Sequence, residues 1–167
     1  MAGVGKIFAP QRLGNHLHLG VCDVNAEEAW LQADLAANAG KHLVAIWHNP
    51  RFSSGTTHGS DLAYDQWWRD LHAAQASVVI NGHEHMYERF APQTPDAVAD
   101  PNGIREFVVG TGGGDHYPYG VRQANSEVID NTTFGVLELT LGVDSYSWQF
   151  IPVAGGSFTD SGTAATP

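Results

Sequence analysis

His83 and His85 stand two positions apart, directly behind Asn81-Gly82 and the apolar run Val78-Val79-Ile80. A short apolar run that stops at a glycine turn reads as a buried strand. Such strands deliver side chains to the carboxyl edge of an α/β sheet, where ligands bind. Two imidazoles so spaced can converge on a metal ion or a metal pair. Neutral imidazole is a common ligand for zinc, iron and manganese. The pattern recurs one strand earlier, where His42-Leu-Val-Ala-Ile-Trp47 ends at His48-Asn-Pro50. Pro50 stops the strand and biases Asn49 to an extended conformation. If these two strands are parallel neighbours joined by a helix, His48 lies beside His83 and His85. Three histidines at adjacent strand ends can form a first coordination shell of the three-histidine zinc type.

The elements that position these residues alternate between strand and helix. Asn25 with Glu28 forms a capping box for a helix to about Asn38, with Trp30, Leu31 and Leu35 as its buried stripe. Gly40 ends that helix, and the connection to the next strand should cross over right-handedly. Residues 51–60 form a polar loop carrying His58. Ser60-Asp61 opens a second helix, whose Tyr64, Trp67, Trp68 and Leu71 read as core and whose His72 faces its flank. The stretch 91–103 holds three prolines and reads as a surface excursion. Ile104 to Val109 is a strand, followed by the turn Thr111-Gly-Gly-Gly114, which puts Asp115, His116 and Tyr117 on the rim of the site. Phe134 to Leu141 and Tyr146 to Val153 form a closing antiparallel pair. Residues 1–12 read as an irregular lead-in, 13–153 as the domain, and 154–167 as a flexible tail.

Three of these segments resemble one family. Gly82-His-Glu-His-Met-Tyr-Glu-Arg89 resembles the GHxHxYER signature of purple acid phosphatase-like metallophosphoesterases, of the calcineurin-like superfamily. Trp47-His-Asn-Pro50 resembles the histidine-proline motif of that family, and Phe107-Val-Val-Gly-Thr-Gly-Gly113 its late GTGG loop. The likeness runs from about Glu28 to Gly162 and covers the second half of the family's catalytic domain. It implies an α/β fold that is half of a four-layer α/β/β/α sandwich, with mixed sheets and two flanking helices. It implies His48 and His83 as ligands of one metal and His85 as a ligand of another. It also implies His58 as a contact to the substrate or leaving group. Glu88 and Arg89 match the end of the motif, where a buried ion pair would hold the histidine turn. Leu13-Gly-Asn-His16 has two readings. It resembles the GNH motif, which would make Asn15 a metal ligand and His16 a phosphate contact. Alternatively, Leu13 to Val24 is a strand with Leu17, Leu19 and Val21 alternating, and the short distance to His48 favours this second reading.

The family activity implied is metal-dependent hydrolysis of phosphate esters by a dinuclear iron, zinc or manganese centre. The Asp-x-His and Gly-Asp-x-x-Tyr motifs of the family's first half do not occur here. Without them the hydrolysis is expected to be weak or lost; a single zinc held by His48, His83, His85 and water stands open beside the dinuclear centre, and a non-catalytic metal- or phosphate-binding remnant is the alternative function. Half a sandwich also exposes a sheet face for self-association or pairing. The resemblance implies a secreted or periplasmic setting, although no signal-peptide layout opens this chain.

Composition bounds the classes. The 167 residues suit one domain, and 43% hydrophobic residues argue against disorder. Eight Lys plus Arg against 18 Asp plus Glu give a formal charge of −10, which argues against a nucleic-acid backbone as partner. No apolar stretch is long enough to span a bilayer. The lone Cys22 excludes an intramolecular disulfide.

Overall fold

The computed structural model describes residues 6–8 and 24–167. Its first sheet has six strands: β1 (Lys6–Phe8), β2 (Leu43–Ile46), β3 (Val78–Asn81), β4 (Tyr87–Phe90), β5 (Arg105–Val109) and β6 (Ser126–Asp130). They lie in the order β1-β2-β3-β5-β4-β6. The first four in that order are mutually parallel, while β4 runs antiparallel to β5 and β6. The second sheet is antiparallel, with β7 (Gly135–Leu141), β8 (Ser145–Pro152) and β9 (Ser161–Ala165) in sequence order.

Alternation along the central strands builds two cores. Leu43 and Ala45 of β2 and Val79 of β3 face the helices α1 (Val24–Ala37) and α2 (Asp65–Ala73), packing with Leu31, Leu35, Trp67, Trp68 and Leu71. Val44, Val78, Tyr87 and Phe107 face the other way, against Tyr146, Trp148 and Phe150 of β8. The layers are therefore helices, large sheet and small sheet, a mixed α/β architecture consistent with part of a metallophosphoesterase sandwich. Burying a side chain such as Leu71 contributes about 1.5–3 kcal/mol, so these layers hold the strand ends rigidly. Asp61 caps the 3₁₀ turn Leu62–Tyr64 that leads into α2, accepting from Ala63 N at 2.9 Å.

Several expectations change. Trp30 is 47% exposed while Leu31 and Leu35 are buried. Adjacent helical residues lie about 100° apart, so Trp30 is turned to the rim of the helix–sheet contact. The proposed Asn25 cap falls outside the described side chains; residues 13–23 of the expected strand, with Asn15, His16, Leu17, Leu19 and Val21, fall outside the described residues, and Val24 begins α1. Within the supposed lead-in, Lys6–Phe8 forms an edge strand parallel to β2. Within the supposed flexible tail, Ser161–Ala165 pairs with β8, from Ser145↔Ala165 to Gln149↔Ser161. Its small polar residues hid a strand whose position is fixed by Asp160. That carboxylate accepts from the Tyr87 hydroxyl at 2.6 Å, Arg89 Nε at 2.7 Å and Trp148 Nε1 at 3.2 Å. The outward face of the small sheet exposes Glu138, Thr140, Gln149, Ser161 and Thr163 beside Val136 and Ile151.

Candidate functional site

The carboxyl ends of β2 and β3 lie side by side because the strands pair in parallel register, Val44 opposite Val78 and Ile46 opposite Ile80. Beyond them the chains stay joined, with Gly82 N donating to His48 O at 2.9 Å. Buried Asn81 strengthens this junction through its amide, which donates to the carbonyls of Trp47 and Asn49 at 3.2 and 3.3 Å. His83 then takes a left-handed conformation, φ 62°. That conformation turns its ring back toward the end of β2.

His83 Nδ1 and His48 Nε2 lie 3.1 Å apart, so one nitrogen donates and the other accepts. The His58 ring lies over His83 with centroids 4.0 Å apart. Burial, and next the charges of His58 and His48, hold the His83 imidazole below its usual range. It is thereby kept in the neutral form that ligates metals. His85 points elsewhere. Its Nδ1 lies 2.8 Å from the Asp115 carbonyl oxygen, which can only accept. Nδ1 therefore carries a proton, which in the neutral tautomer leaves the lone pair on Nε2. Tyr117 stacks on the same ring at 3.9 Å and 12°, and a Cβ at Gly114 would come within 2.6 Å of its Cε1. Tyr117 also faces His58 at 5.6 Å, so it stands between the two imidazole groups.

The structure thus brings together His48, His58 and His83, with His85 held nearby across Tyr117. Among the described residues, no three His, Cys, Asp or Glu side chains form a metal-holding group. The spacing within one pair can be set against what a metal requires. Two nitrogens bound at about 2.0–2.1 Å to a tetrahedral zinc lie roughly 3.3 Å apart, close to the 3.1 Å between His48 and His83. Asp115 reaches His85 through its main chain only, so among the described residues no carboxylate bridges the histidines.

Other site residues differ from expectation. Glu88 and Arg89 do not pair with each other. Consecutive residues of β4 point to opposite faces, so each finds its own partners. Buried Glu88 accepts from Ser54 N at 2.8 Å, Ser54 Oγ at 2.5 Å and Ser126 Oγ at 2.7 Å. Arg89 binds Asp160 and Glu127 instead. His116 leaves the rim and stacks on Phe134 at 4.1 Å, because its neighbours on either side are drawn to His85. Glu84 went unnoticed in the sequence, where it reads as a spacer between two histidines. It is fully buried, its carboxylate accepting from His58 N at 2.6 Å.

No family model matches the chain. Two curated proteins of Arabidopsis thaliana are similar to it. Purple acid phosphatase 21 is 37% identical over 89 residues, and purple acid phosphatase 15 is 35% identical over 97. These matches take in 50% and 54% of this chain but only 20% and 18% of the relatives. The chain therefore spans about a fifth of their length. Among solved structures, a purple acid phosphatase from yellow lupin (Lupinus luteus) seeds superposes with a TM-score of 0.71. The match has 19% identity and covers 82% of this chain and 28% of that one. GAP50, the anchor in the inner membrane complex of Plasmodium, also gives a TM-score of 0.71, with 16% identity over 86% of this chain and 43% of that chain. Signature, sequence similarity and fold point the same way: over about half its length this chain is similar to purple acid phosphatases, and its fold matches part of one.

Proposed function

We propose that this chain carries one wall of a metal-dependent phosphate-ester hydrolase site. The observation behind this reading is the His48–His83 pair, with nitrogens 3.1 Å apart at the carboxyl ends of adjacent parallel strands. His48 and His83 would hold one divalent metal, and His85 would offer Nε2 to another. Bound there, such a metal would supply positive charge for the phosphate and a water acidified toward neutral pH. His58 stands within reach of an ester placed over that pair, and as an imidazolium it would protonate the leaving oxygen. Tyr117 lines the same opening and would limit where the leaving group sits.

A second reading has an observation of its own. Among the described residues no carboxylate joins the histidines, which favours a chain that binds metal or phosphate without turnover. The fold is compatible with such a role, since the similar GAP50 is described as an anchor. Elemental analysis after stripping and reconstitution with zinc, manganese and iron separates the two. Metal uptake together with hydrolysis of phosphomonoesters or diesters supports the first reading. Uptake without hydrolysis supports the second, and a chain that takes up no metal refutes both metal-dependent forms.

A further inference from the structure

Glu84 is the middle residue of His83-Glu84-His85, yet it points away from the imidazoles and into the protein, fully buried. Its Oε1 accepts two consecutive main-chain donors, His58 N at 2.6 Å and Gly59 N at 2.5 Å. Gly59 has φ +73°, and an ordinary residue followed by one in the left-handed region turns successive N–H groups inward. That is an anion-binding nest, and here a carboxylate of the chain itself fills it. A second glycine makes the contact possible. A Cβ at Gly55 would lie 2.6 Å from both Glu84 carboxylate oxygens. The loop that carries His58 is thus wrapped around Glu84.

We infer that Glu84 is the positioning residue for His58, fixing that imidazole over the His48–His83 pair through the nest at His58 and Gly59. The geometry follows from the chain direction. His83 and Glu84 are neighbours, so the histidine turn that offers His83 to a metal also sends the next side chain under the opposite loop. The loop therefore moves with the turn, and the His58–His83 centroid distance of 4.0 Å is set by a carboxylate that touches neither ring. Among the described residues the exposed His58 side chain makes ring contacts with His83 and Tyr117 but has no comparable tether of its own. The value of this placement for leaving-group protonation rests on the hydrolase reading above, whereas the placement itself does not.

Heteronuclear NMR of the whole chain tests it without metal or substrate. In the wild type, scalar couplings across the hydrogen bonds should connect the amide nitrogens of His58 and Gly59 to the Glu84 carboxyl carbon. Their absence overturns the proposal with no variant needed. In Glu84→Ala, the nuclear Overhauser contact between the His58 and His83 rings should vanish while the His48–His83 contact persists. Amide exchange at His58 and Gly59 should accelerate at least about tenfold, as expected for loss of a charge-assisted hydrogen bond. Glu84→Gln, which keeps the volume and removes the charge, should change both readouts in the same direction by a smaller step. An intact His58–His83 contact with unchanged exchange in the folded variants refutes the tether. Metal uptake measured alongside on the wild type reports on the hydrolase reading separately, so either can fail alone.

Discussion

Replacing Asp160 by Ala should unfasten the small sheet from the large one. The carboxylate, only 9% exposed, accepts from the Tyr87 hydroxyl, the Trp148 indole and two nitrogens of Arg89. Tyr87 is fully buried, so its hydroxyl cannot turn to water, and an orphaned buried donor costs about 1–3 kcal/mol. Arg89 loses its better-buried partner but keeps Glu127. That limits its share to less than the roughly 3–5 kcal/mol of a fully stranded buried charge. Together these give a destabilisation of about 3–5 kcal/mol, a large fraction of the roughly 5–15 kcal/mol of a small domain. Urea unfolding followed by tryptophan fluorescence measures it, since Trp148 reports on the lost contact. The effect also has a pH signature. Burial raises the Asp160 pKa, but the Arg89 and Tyr87 hydrogen bonds outweigh it and hold it below its ordinary 3.8. A lowered carboxyl contributes stability that is present above the unfolded value and lost as pH falls through the folded one. The gap between wild type and Asp160→Ala should therefore narrow below about pH 4. A loss under about 1 kcal/mol, the scale of an exposed ion pair, would refute the anchoring role of Asp160.

Other outcomes follow from the same contacts. His83→Ala should abolish the metal uptake expected of the wild type, as read by elemental analysis, while far-UV circular dichroism stays unchanged. Gly114→Ala should displace the His85 ring and its Tyr117 stack with little effect on unfolding, because the residue is exposed and the clash is with a side chain. Gly110→Ala should prevent folding, because there the added carbon meets the Glu84 main chain. Burial raises Glu106 well above its usual range, so its stabilising protonated form is fully populated below the unfolded value and lost as pH rises through the folded one. Glu106→Gln should accordingly match the wild type near pH 4 and exceed it in urea midpoint at pH 8. A lower midpoint for the variant at pH 8 would exclude a buried protonated carboxyl.

The histidine strand ends were legible because two constraints coincide there. Strands buried on both faces leave continuous apolar runs, as in Leu43–Ile46 and Val78–Ile80, and a proline or glycine turn marks each end. The aromatic stripe Trp67-Trp68-Leu71 was legible for the parallel reason in a helix. What escaped were elements defined by long-range partners. Ser126–Asp130 and Ser161–Ala165 carry little apolar pattern, and they are strands because Tyr87–Phe90 and Ser145–Gln149 offer them free edges. Glu84 escaped for a similar reason. Its partners lie 25 and 26 positions upstream, and only the fold reveals that a nest is waiting for its charge.

The left-handed backbone at His83 has a consequence for how this site trades stability against ligation. A residue with a Cβ is strained there by roughly 1–2 kcal/mol, a cost that glycine avoids. Among substitutions at this position, His83→Gly should therefore unfold at higher urea than His83→Ala, by the relieved strain less the extra unfolded-chain entropy of glycine. The turn would be locally more comfortable with no side chain at all. Holding an imidazole there costs folding energy that the surrounding contacts, with His48 and His58 among them, must offset.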